Sequence, residues 1–246
     1  EAGAELRQER LVAIERQGPR IRRVTLASGR TQREISPRLV VDASGMAAAV
    51  RRRHPLLADL CPDLAPLDVC VAAQYMFRVA DPAGAQAFLA RHGAQPGDGI
   101  SFLGIAGGYS VLMVGVSEDL QEVAVLCGSV PAAGVPSGAT VVDRFSQARS
   151  WIGERQIGGQ GEIPLAPPCV RLSAPGVALL GNAAHMVYAI HGSGVGMGLL
   201  AARGLADAVA DADDPGDPQR LHDYAAAFHR RYGGRLAAAD LFRRFS

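Results

Sequence analysis

The spacing of apolar residues changes along the chain and predicts strands first, a mixed segment next and helices last. Residues 10–35 alternate between apolar and polar side chains around the turn signal Ala27 to Arg30, which predicts short antiparallel strands. The runs 39–41 and 177–180 are wholly apolar, as is typical of strands that are buried on both faces of a parallel sheet. We therefore expect these two runs to lie in the same sheet.

The region between the two apolar runs has the pattern of a separate layer of strands and helices. The strand-like segments are 69–79, 100–105, 109–116 and 122–130. The last three predict an antiparallel meander. One helix is predicted to begin at Asp81-Pro82 and to end at Gly93. A second helix is predicted from its apolar face, which consists of Val141, Val142, Phe145, Ala148 and Ile152. The glycine- and proline-rich segment 158–168 is predicted to be an irregular return.

Helical periodicity dominates the C-terminal part of the chain. Residues 194–210 predict a long helix, and its expected inner face is Leu199, Leu205 and Val209. Asp217-Pro218 is a capping signal for a further helix, and the apolar stripe of that helix is Leu221, Tyr224 and Phe228. Gly233-Gly234 interrupts it, and a last amphipathic piece ends at Ser246. A short helix is also predicted at 46–53, with three arginines at its C-terminal end, where the helix dipole favours cations.

Composition removes several classes of function. The formal net charge is +1, so nothing indicates a nucleic acid or an acidic membrane surface as partner. The chain contains no lysine, which excludes covalent chemistry through a lysine Schiff base. No apolar run reaches the roughly 18 residues that a transmembrane helix needs. The cysteines are Cys61, Cys70, Cys127 and Cys169. Their scattered spacing predicts no metal site and favours reduced, buried thiols in a cytoplasmic protein.

The residues that indicate chemistry follow the second apolar run. Gly181 would let another molecule approach the backbone closely, and Asn182 would offer an amide at the carboxyl edge of a strand, where open α/β sheets bind ligands. Alternate glycines at 192–198 then open the long helix, whose free N–H groups favour a negative charge. A flavin needs this arrangement, because its reduced ring carries negative charge near N1 and the C2 carbonyl. The alternative is a glycine-rich turn that only packs the helix against the sheet.

These residues carry a family resemblance. The stretch Leu180 to His185, followed by Gly192 to Gly194, resembles the second flavin motif of the p-hydroxybenzoate-hydroxylase-like flavoproteins. That superfamily includes aromatic hydroxylases, halogenases and geranylgeranyl reductases. Leu39 to Gly45, followed by Val50-Arg51, resembles its middle motif. The segment His191 to Arg203 most resembles the geranylgeranyl-reductase-like branch of dehydrogenases.

The resemblance implies an α/β fold, namely the C-terminal part of an FAD/NAD(P)-binding Rossmann-like domain with an inserted α+β, largely antiparallel substrate domain. The two parts of the FAD-binding domain would be residues 1–54 and 161–212. The substrate-binding domain would be 55–160, and C-terminal helices would occupy 213–246. We expect the N-terminal strand with its G-x-G-x-x-G loop, about 100 residues or more with its flanks, to be missing from this sequence.

By position, the resemblance implies where FAD would lie. Residues 181–183 would face the ribityl and pyrophosphate region, and residues 194–196 would offer backbone N–H groups to the C2 carbonyl side of the ring. The implied cofactor-binding residues are Ala43, Gly45, Gly181, Asn182, Ala183, Gly192, Gly194, Val195 and Gly196. The chain departs from the family at Asn182, where aspartate is usual, and at Ala189, where proline is usual.

Several side chains keep two interpretations. His185 and His191 flank the motif and could contact flavin or substrate, although a structural role is favoured. Asp42 could bond near the cofactor or cap the turn that follows it. Tyr75, Phe77, Phe102, Tyr109 and Met113 lie on predicted strands. These five could line an apolar substrate pocket, although core packing is favoured.

The resemblance implies an FAD-dependent oxidoreductase that acts on an apolar small molecule by hydride transfer through the flavin. It would be a reductase or dehydrogenase, or else a monooxygenase, with NAD(P)H as a candidate electron donor. No catalytic residue is identified. The alternative is a truncated or degenerate flavoprotein fragment that holds no cofactor and binds an apolar ligand or a partner protein.

Overall fold

The computed structural model describes residues 3–244. Its strands are β1 (Arg10–Gln17), β2 (Arg20–Ser28), β3 (Thr31–Ile35), β4 (Val40–Asp42), β5 (Val69–Val79), β6 (Gly99–Leu103), β7 (Ser110–Val116), β8 (Glu122–Ser129), β9 (Ile152–Pro164), β10 (Ser173–Ala174) and β11 (Val177–Leu179). Its helices are α1 (Pro55–Ala58), α2 (Pro82–Arg91), α3 (Gly138–Gln147), α4 (Val195–Val209), α5 (Pro218–Phe228) and α6 (Gly234–Arg243). The chain divides into two compact units.

The first unit contains the chain up to Asp63 together with Pro167–Tyr188 and Ser193–Ala238. It holds the antiparallel sheet β1-β2-β3 and a second sheet with the order β10-β11-β4. In the second sheet β11 and β4 run parallel, which confirms that the two wholly apolar runs share one sheet. The helices α4 and α5 pack against each other, and α5 also packs against β10.

The core of the first unit forms around β11, because all three residues of this strand are fully buried. The predicted apolar stripe of α5 is confirmed, since Leu221, Tyr224 and Phe228 belong to this core. The Tyr224 hydroxyl donates a hydrogen bond to the carbonyl oxygen of Leu179 at 2.9 Å. Burial of this phenol therefore leaves its polar atom paired.

The second unit contains Leu64–Ala166, Ala189–Gly192 and the chain from Ala239 onward. Its sheet is antiparallel with the order β6-β7-β8-β5-β9, and the predicted meander of its β6, β7 and β8 strands is confirmed. The helix α3 packs on β5 and β8. Beneath α2 and α3 lies an apolar core that includes Leu112, Val114, Val123 and Val125.

The capping signals place two helices as predicted. The Asp81 carboxylate accepts a hydrogen bond from Ala83 N–H at the start of α2. The Asp217 carboxylate accepts bonds from Gln219 N–H and Arg220 N–H at the start of α5. These local interactions satisfy N–H groups that have no partner within the helix.

Some predicted elements are wrong. Residues 46–53 form no α-helix but two 3-10 turns, Gly45–Ala47 and Arg51–Arg53, separated by Ala48 in the left-handed region at φ 43°. The expected return at 158–168 is instead largely strand β9, which also contains Ile152. Leu199 is not on the inner face of α4, because it is 67% exposed. The predicted end at Ser246 lies outside the described residues.

The largest of these differences, the strand at 158–164, results from tertiary pairing. Pairing with β5 supplies the hydrogen bonds that make the glycine-rich segment extended. Local propensity therefore gave the wrong answer for β9.

Within residues 3–244, no helix combines the length and the apolar composition that crossing a lipid bilayer requires.

Candidate functional site

The carboxyl ends of β4 and β11 lie side by side. Asp42 pairs with Leu179 in the parallel register, and Leu180 N–H donates to the carbonyl oxygen of Asp42 at 2.9 Å. Ala43 and Gly181 follow these strand ends directly. The edge where open α/β sheets bind ligands is thus formed by the two stretches that the resemblance selects.

Asp42 organises the turn after β4. One carboxylate oxygen accepts bonds from Ser44 N–H and Ser44 Oγ, and the other accepts bonds from the backbone N–H groups of Val50 and Arg51 at 2.9 and 2.8 Å. The side chain is 2% exposed. Of the two interpretations of Asp42, the structure supports capping of this turn.

The segment after β11 is a tight 3-10 turn, Gly181–Ala184. Gly181 has φ +60°, and a methyl group placed on it would meet no atom of the described chain within 4 Å. Ala183 and Ala184 are fully buried, so their small size lets the turn lie flat on the core. The turn leaves open space beside the Gly181 backbone.

The start of α4 lies against this turn. Gly194 is the N-cap residue, and no side chain caps it within residues 3–244. A methyl group on Gly194 would lie 3.0 Å from Asn182 Oδ1 and 3.1 Å from Val187 Cγ2. A methyl group on Gly198 would lie 3.7 Å from the Gly181 Cα atom. The glycines of the two motifs therefore approach each other within one unit.

Open space also lies beside Gly45 and Gly196, where an added methyl group would meet no atom within 4 Å in the described part of the chain. The turn at Gly45–Ala47 and the turn at Gly181–Ala184 are neighbours. Of the nine residues expected to bind the cofactor, eight lie in the first unit. Gly192 is the exception, since it belongs to the second unit, where its added methyl group would lie 3.5 Å from Ile163 Cδ1.

Behind the turn lies a buried cluster that the sequence pattern did not indicate. Cys61 and Cys169 are joined by a disulfide across a sequence separation of 108 residues. The expectation of reduced thiols is therefore wrong for this pair, and it holds for Cys70 and Cys127, which are free and buried. Spacing could not reveal the pair, because its members come together only through the fold.

Arg51 lies in the middle of the cluster, in a 3-10 turn and not at the C-terminal end of an α-helix as expected. Its side chain is only 4% exposed. Its Nη1 atom lies 2.7 Å from Cys61 Sγ and 3.0 Å from His185 Nε2. Since arginine can only donate, His185 Nε2 must accept and the neutral ring must carry its proton on Nδ1.

His185 is a structural residue of this cluster. It is 5% exposed and adopts the left-handed conformation at φ 55°. Burial first, and the nearby Arg51 charge second, lower the pKa of His185 to about 4. The ring is therefore neutral at physiological pH. His191 differs, since it lies on the exposed surface of the second unit.

The ligand-type atoms of Cys61, Cys169 and His185 lie within 4.8 Å of one another. We assign no metal ion to them, because the guanidinium of Arg51 already places a positive charge among these atoms. The expected absence of a metal site stays a prediction.

The face of the second unit's sheet opposite α3 is apolar and open. One row across it contains Ser101, Met113, Leu126 and Gln74, and the next contains Gly115, Ala124, Met76 and Ile157. Met113 is 42% exposed and lines a shallow cavity of about 190 Å³. Of the five residues considered for a pocket, Tyr75 and Phe77 are buried core residues instead.

Comparison with known proteins identifies this architecture. A geranylgeranyl bacteriochlorophyll reductase-like protein from Thermoplasma acidophilum superimposes with a TM-score of 0.75 at 16% identity, over 96% of this chain and 57% of that one. A flavoprotein/dehydrogenase from Cytophaga hutchinsonii shares this fold with a TM-score of 0.60 at 14% identity, over 96% of this chain and 55% of that one. The α/β fold class that the sequence resemblance implied is thus confirmed.

A halogenase has the same fold. BrvH, a flavin-dependent halogenase from Brevundimonas sp. BAL3, matches with a TM-score of 0.58 at 15% identity, over 93% of this chain and 42% of that one. In sequence, the chain is 28% identical over 89 residues to a digeranylgeranylglycerophospholipid reductase from Sulfolobus acidocaldarius, covering 35% of this chain and 20% of that protein. No family profile matches the chain. The chain spans less than two thirds of the length of each of these proteins.

Proposed function

We propose that this chain supplies the ring-binding part of an FAD-dependent oxidoreductase. The observation that carries the proposal is the meeting of the β4 end, the Gly181–Ala184 turn and the uncapped start of α4 in one unit. Sheet edges and helix starts of this kind bind anionic and polar parts of cofactors.

The residues at this edge fit a flavin. Open space beside Gly45, Gly181 and Gly196 allows a flat ring system or its ribityl chain to approach the backbone. Asn182 would accept from or donate to ribityl hydroxyls. Val195 and Gly196 would offer N–H groups to the C2 carbonyl side of the ring, where the positive helix end stabilises negative charge.

Bound FAD would supply the hydride transfer, and the chain itself would bind and orient the ring. The Asp42 turn would fix the backbone beside the ring, because its carboxylate oxygens are already saturated by Ser44, Val50 and Arg51. No titratable side chain is placed at a reacting atom by this proposal.

The substrate of the proposed enzyme is an apolar small molecule. The support is the open sheet face of the second unit, where Met113, Leu126 and Ile157 present apolar surface between glycine and alanine positions. Exposed apolar surface of this kind marks binding sites. The similar protein from Sulfolobus acidocaldarius is a reductase of a digeranylgeranyl lipid, and this similarity favours a substrate with an isoprenoid chain. We place the enzyme in the cytoplasm with NAD(P)H as electron donor.

Flavin binding is the first test. The purified chain should bind FAD, seen as quenching of flavin fluorescence, and should retain visible flavin absorbance after gel filtration. Because the chain carries no G-x-G-x-x-G loop for the diphosphate, FMN should bind about as tightly as FAD. A chain that binds neither flavin would contradict the proposal.

Isotope labelling separates the two chemistries. With an isoprenoid alkene, reduced flavin and ¹⁸O₂, a reductase gives a product heavier by two hydrogens and without label. A monooxygenase gives a product that carries one labelled oxygen atom. We favour reduction, because the segment His191 to Arg203 most resembles the reductase branch.

A binding module without cofactor is the second candidate. The helix α4 exposes Val195, Leu199 and Leu200, at 80%, 67% and 48%, and the edge strand β4 exposes Val41 at 40%. Such a surface suits an apolar ligand or a protein partner. Failure to bind FMN and FAD, combined with retained binding of an isoprenoid alcohol, would favour this candidate.

A further inference from the structure

Arg51 is a buried cation, and within residues 3–244 its guanidinium forms no ion pair with a buried carboxylate. Its ion-pair partner is Asp63 Oδ1, which lies 3.5 Å from Nη2 and belongs to a side chain that is 65% exposed. Its Nε atom has no hydrogen-bond partner in the part of the chain that the structure describes. Burial lowers the pKa of Arg51, because it penalises the charged form of the guanidinium. A buried charge with so little compensation costs stability.

The groups that do surround Arg51 are sulfurs and an imidazole. Nη1 lies 2.7 Å from Cys61 Sγ and 3.6 Å from Cys169 Sγ. His185 Nδ1, which carries the ring proton, lies 3.9 Å from Cys61 Sγ. In the disulfide these sulfurs are weak acceptors. As a thiolate, Cys61 would receive bonds from the Arg51 guanidinium and from the His185 ring.

We propose that Cys61 and Cys169 form a redox-active dithiol–disulfide pair whose reduced state is a buried ion pair between the Cys61 thiolate and Arg51. Stabilisation of a thiolate in the reduced protein makes a disulfide more oxidising and therefore easier to reduce. Here reduction gives Arg51 the buried anion that it lacks in the oxidised state. The redox role rests on the cytoplasmic location given under the proposed function, because the few disulfides that form in a reducing compartment are usually transient and catalytic or redox-sensing.

The reductant is a dithiol. One of its thiolates attacks Cys169 Sγ, the bond between the two cysteine sulfurs breaks, and Cys61 leaves as the thiolate held by Arg51. The second thiolate of the reductant attacks the mixed disulfide, and Cys169 leaves and takes up a proton. The reductant is oxidised to a cyclic disulfide, two electrons enter the protein, and one proton is released to solvent. Attack at Cys169 is favoured, since the better stabilised sulfur leaves faster.

The remaining charged groups near the cluster do not supply this compensation. Asp42 and Asp63 attract Arg51 from outside it, and Arg52 repels it. The two free cysteines do not interfere with a thiol measurement at neutral pH. Burial raises the pKa of Cys70 to about 12 and that of Cys127 to about 11.

The redox equilibrium tests the proposal. The full chain is equilibrated anaerobically in mixtures of reduced and oxidised dithiothreitol, quenched with acid and alkylated, and the reduced fraction is read by mass. Arg51→Gln should require a reduced-to-oxidised ratio about tenfold higher or more than the wild type for half reduction. Arg52→Gln is the matched control, since it changes an exposed neighbouring arginine, and it should leave the midpoint within about twofold. Equal midpoints for wild type and Arg51→Gln would overturn the proposal.

A second measurement stays decisive if Arg51→Gln does not fold. The reduced wild-type chain is titrated with alkali, and thiolate formation is followed by its far-ultraviolet absorbance. One thiolate per chain should be present well below the ordinary cysteine pKa of about 8.5, and Cys61→Ser should abolish it. If reduced wild type shows no thiolate below about pH 8, the ion pair does not exist and the proposal is wrong.

Discussion

Gly194 lies so close to Asn182 that a methyl group on its Cα atom would stand 3.0 Å from Asn182 Oδ1. This contact places the start of α4 on the turn that follows β11. The glycine is thus required by packing within the protein. Gly196, two residues further on, has no atom of the described chain within 4 Å of an added methyl group, so packing among the described residues does not require glycine there.

The pair Gly194→Ala and Gly196→Ala separates packing from flavin binding. Gly194→Ala should destabilise the chain without cofactor by about 1–2 kcal/mol, because Asn182 and Val187 must shift. Gly196→Ala should be neutral or stabilising by about 0.5 kcal/mol, since alanine favours a helix. Thermal unfolding by circular dichroism measures both changes.

Flavin affinity should fall in Gly196→Ala, the variant whose stability is not reduced. Gly196→Ala should weaken FMN binding by about tenfold although the chain is fully stable, because the added methyl group occupies the space of the ring. Flavin fluorescence quenching gives the dissociation constants. An unchanged affinity in Gly196→Ala would show that no flavin lies against this backbone.

Acid should destabilise the protein through His185. The pKa of this residue is about 4 in the folded chain, whereas an unfolded histidine titrates near 6.5. Between these values the unfolded chain binds a proton that the folded chain does not. The contribution of His185 to the free energy of unfolding is therefore complete above about pH 6.5 and is lost as pH falls. At pH 4 the loss amounts to about 3 kcal/mol.

His185→Asn should remove much of this pH dependence. Asparagine stays neutral, tolerates the left-handed backbone and can accept a bond from Arg51. His222→Asn is the control, because His222 is exposed, and it should retain the wild-type profile. Urea unfolding at several pH values between 4 and 7 provides the measurement. A wild-type slope in His185→Asn would place the titrating group elsewhere.

The glycines of β9 should differ sharply in their tolerance of substitution. Gly158 has φ +149°, and an added methyl group would lie 2.2 Å from the Gln74 carbonyl oxygen. Gly158→Ala should therefore cost about 3 kcal/mol or more. Gly159→Ala should change stability little, since nothing lies within 4 Å of the added group in the described chain.

Trp151 reports this difference. It is the single tryptophan of the sequence and is 7% exposed in the core of the second unit, against Phe88. Its fluorescence during urea unfolding therefore follows the unit that contains β9. Equal midpoints for the two variants would contradict the strand assignment of Gly158.

The open sheet face should lose apolar ligands when it gains a charge. Met113→Glu should reduce binding of geranylgeraniol by about tenfold or more, because the carboxylate would have to be desolvated beneath the chain of the ligand. The fold should survive, since Met113 is 42% exposed. Leu6→Glu, at a position that is 97% exposed, is the control and should bind as wild type does. Unchanged binding by Met113→Glu would exclude this face as the substrate surface.

The sequence alone determined the features that depend on neighbouring residues. Apolar runs predicted β4 and β11, alternation predicted the meander, and Asp81 and Asp217 predicted two helix starts. These signals are short-range, because a strand face or a helix cap is formed by residues a few positions apart. The order of the two glycine motifs also indicated the flavoprotein fold.

Only the tertiary structure decided features that join distant parts of the chain. Pairing with β5 made the glycine-rich segment 152–164 a strand, against its local propensity. Burial of Arg51 and the bond between Cys61 and Cys169 depend on three segments that meet behind the Gly181–Ala184 turn. The spacing of these residues along the sequence does not indicate that they are in contact. Whether an arginine is solvated or a cysteine is paired depends on what the fold places beside it.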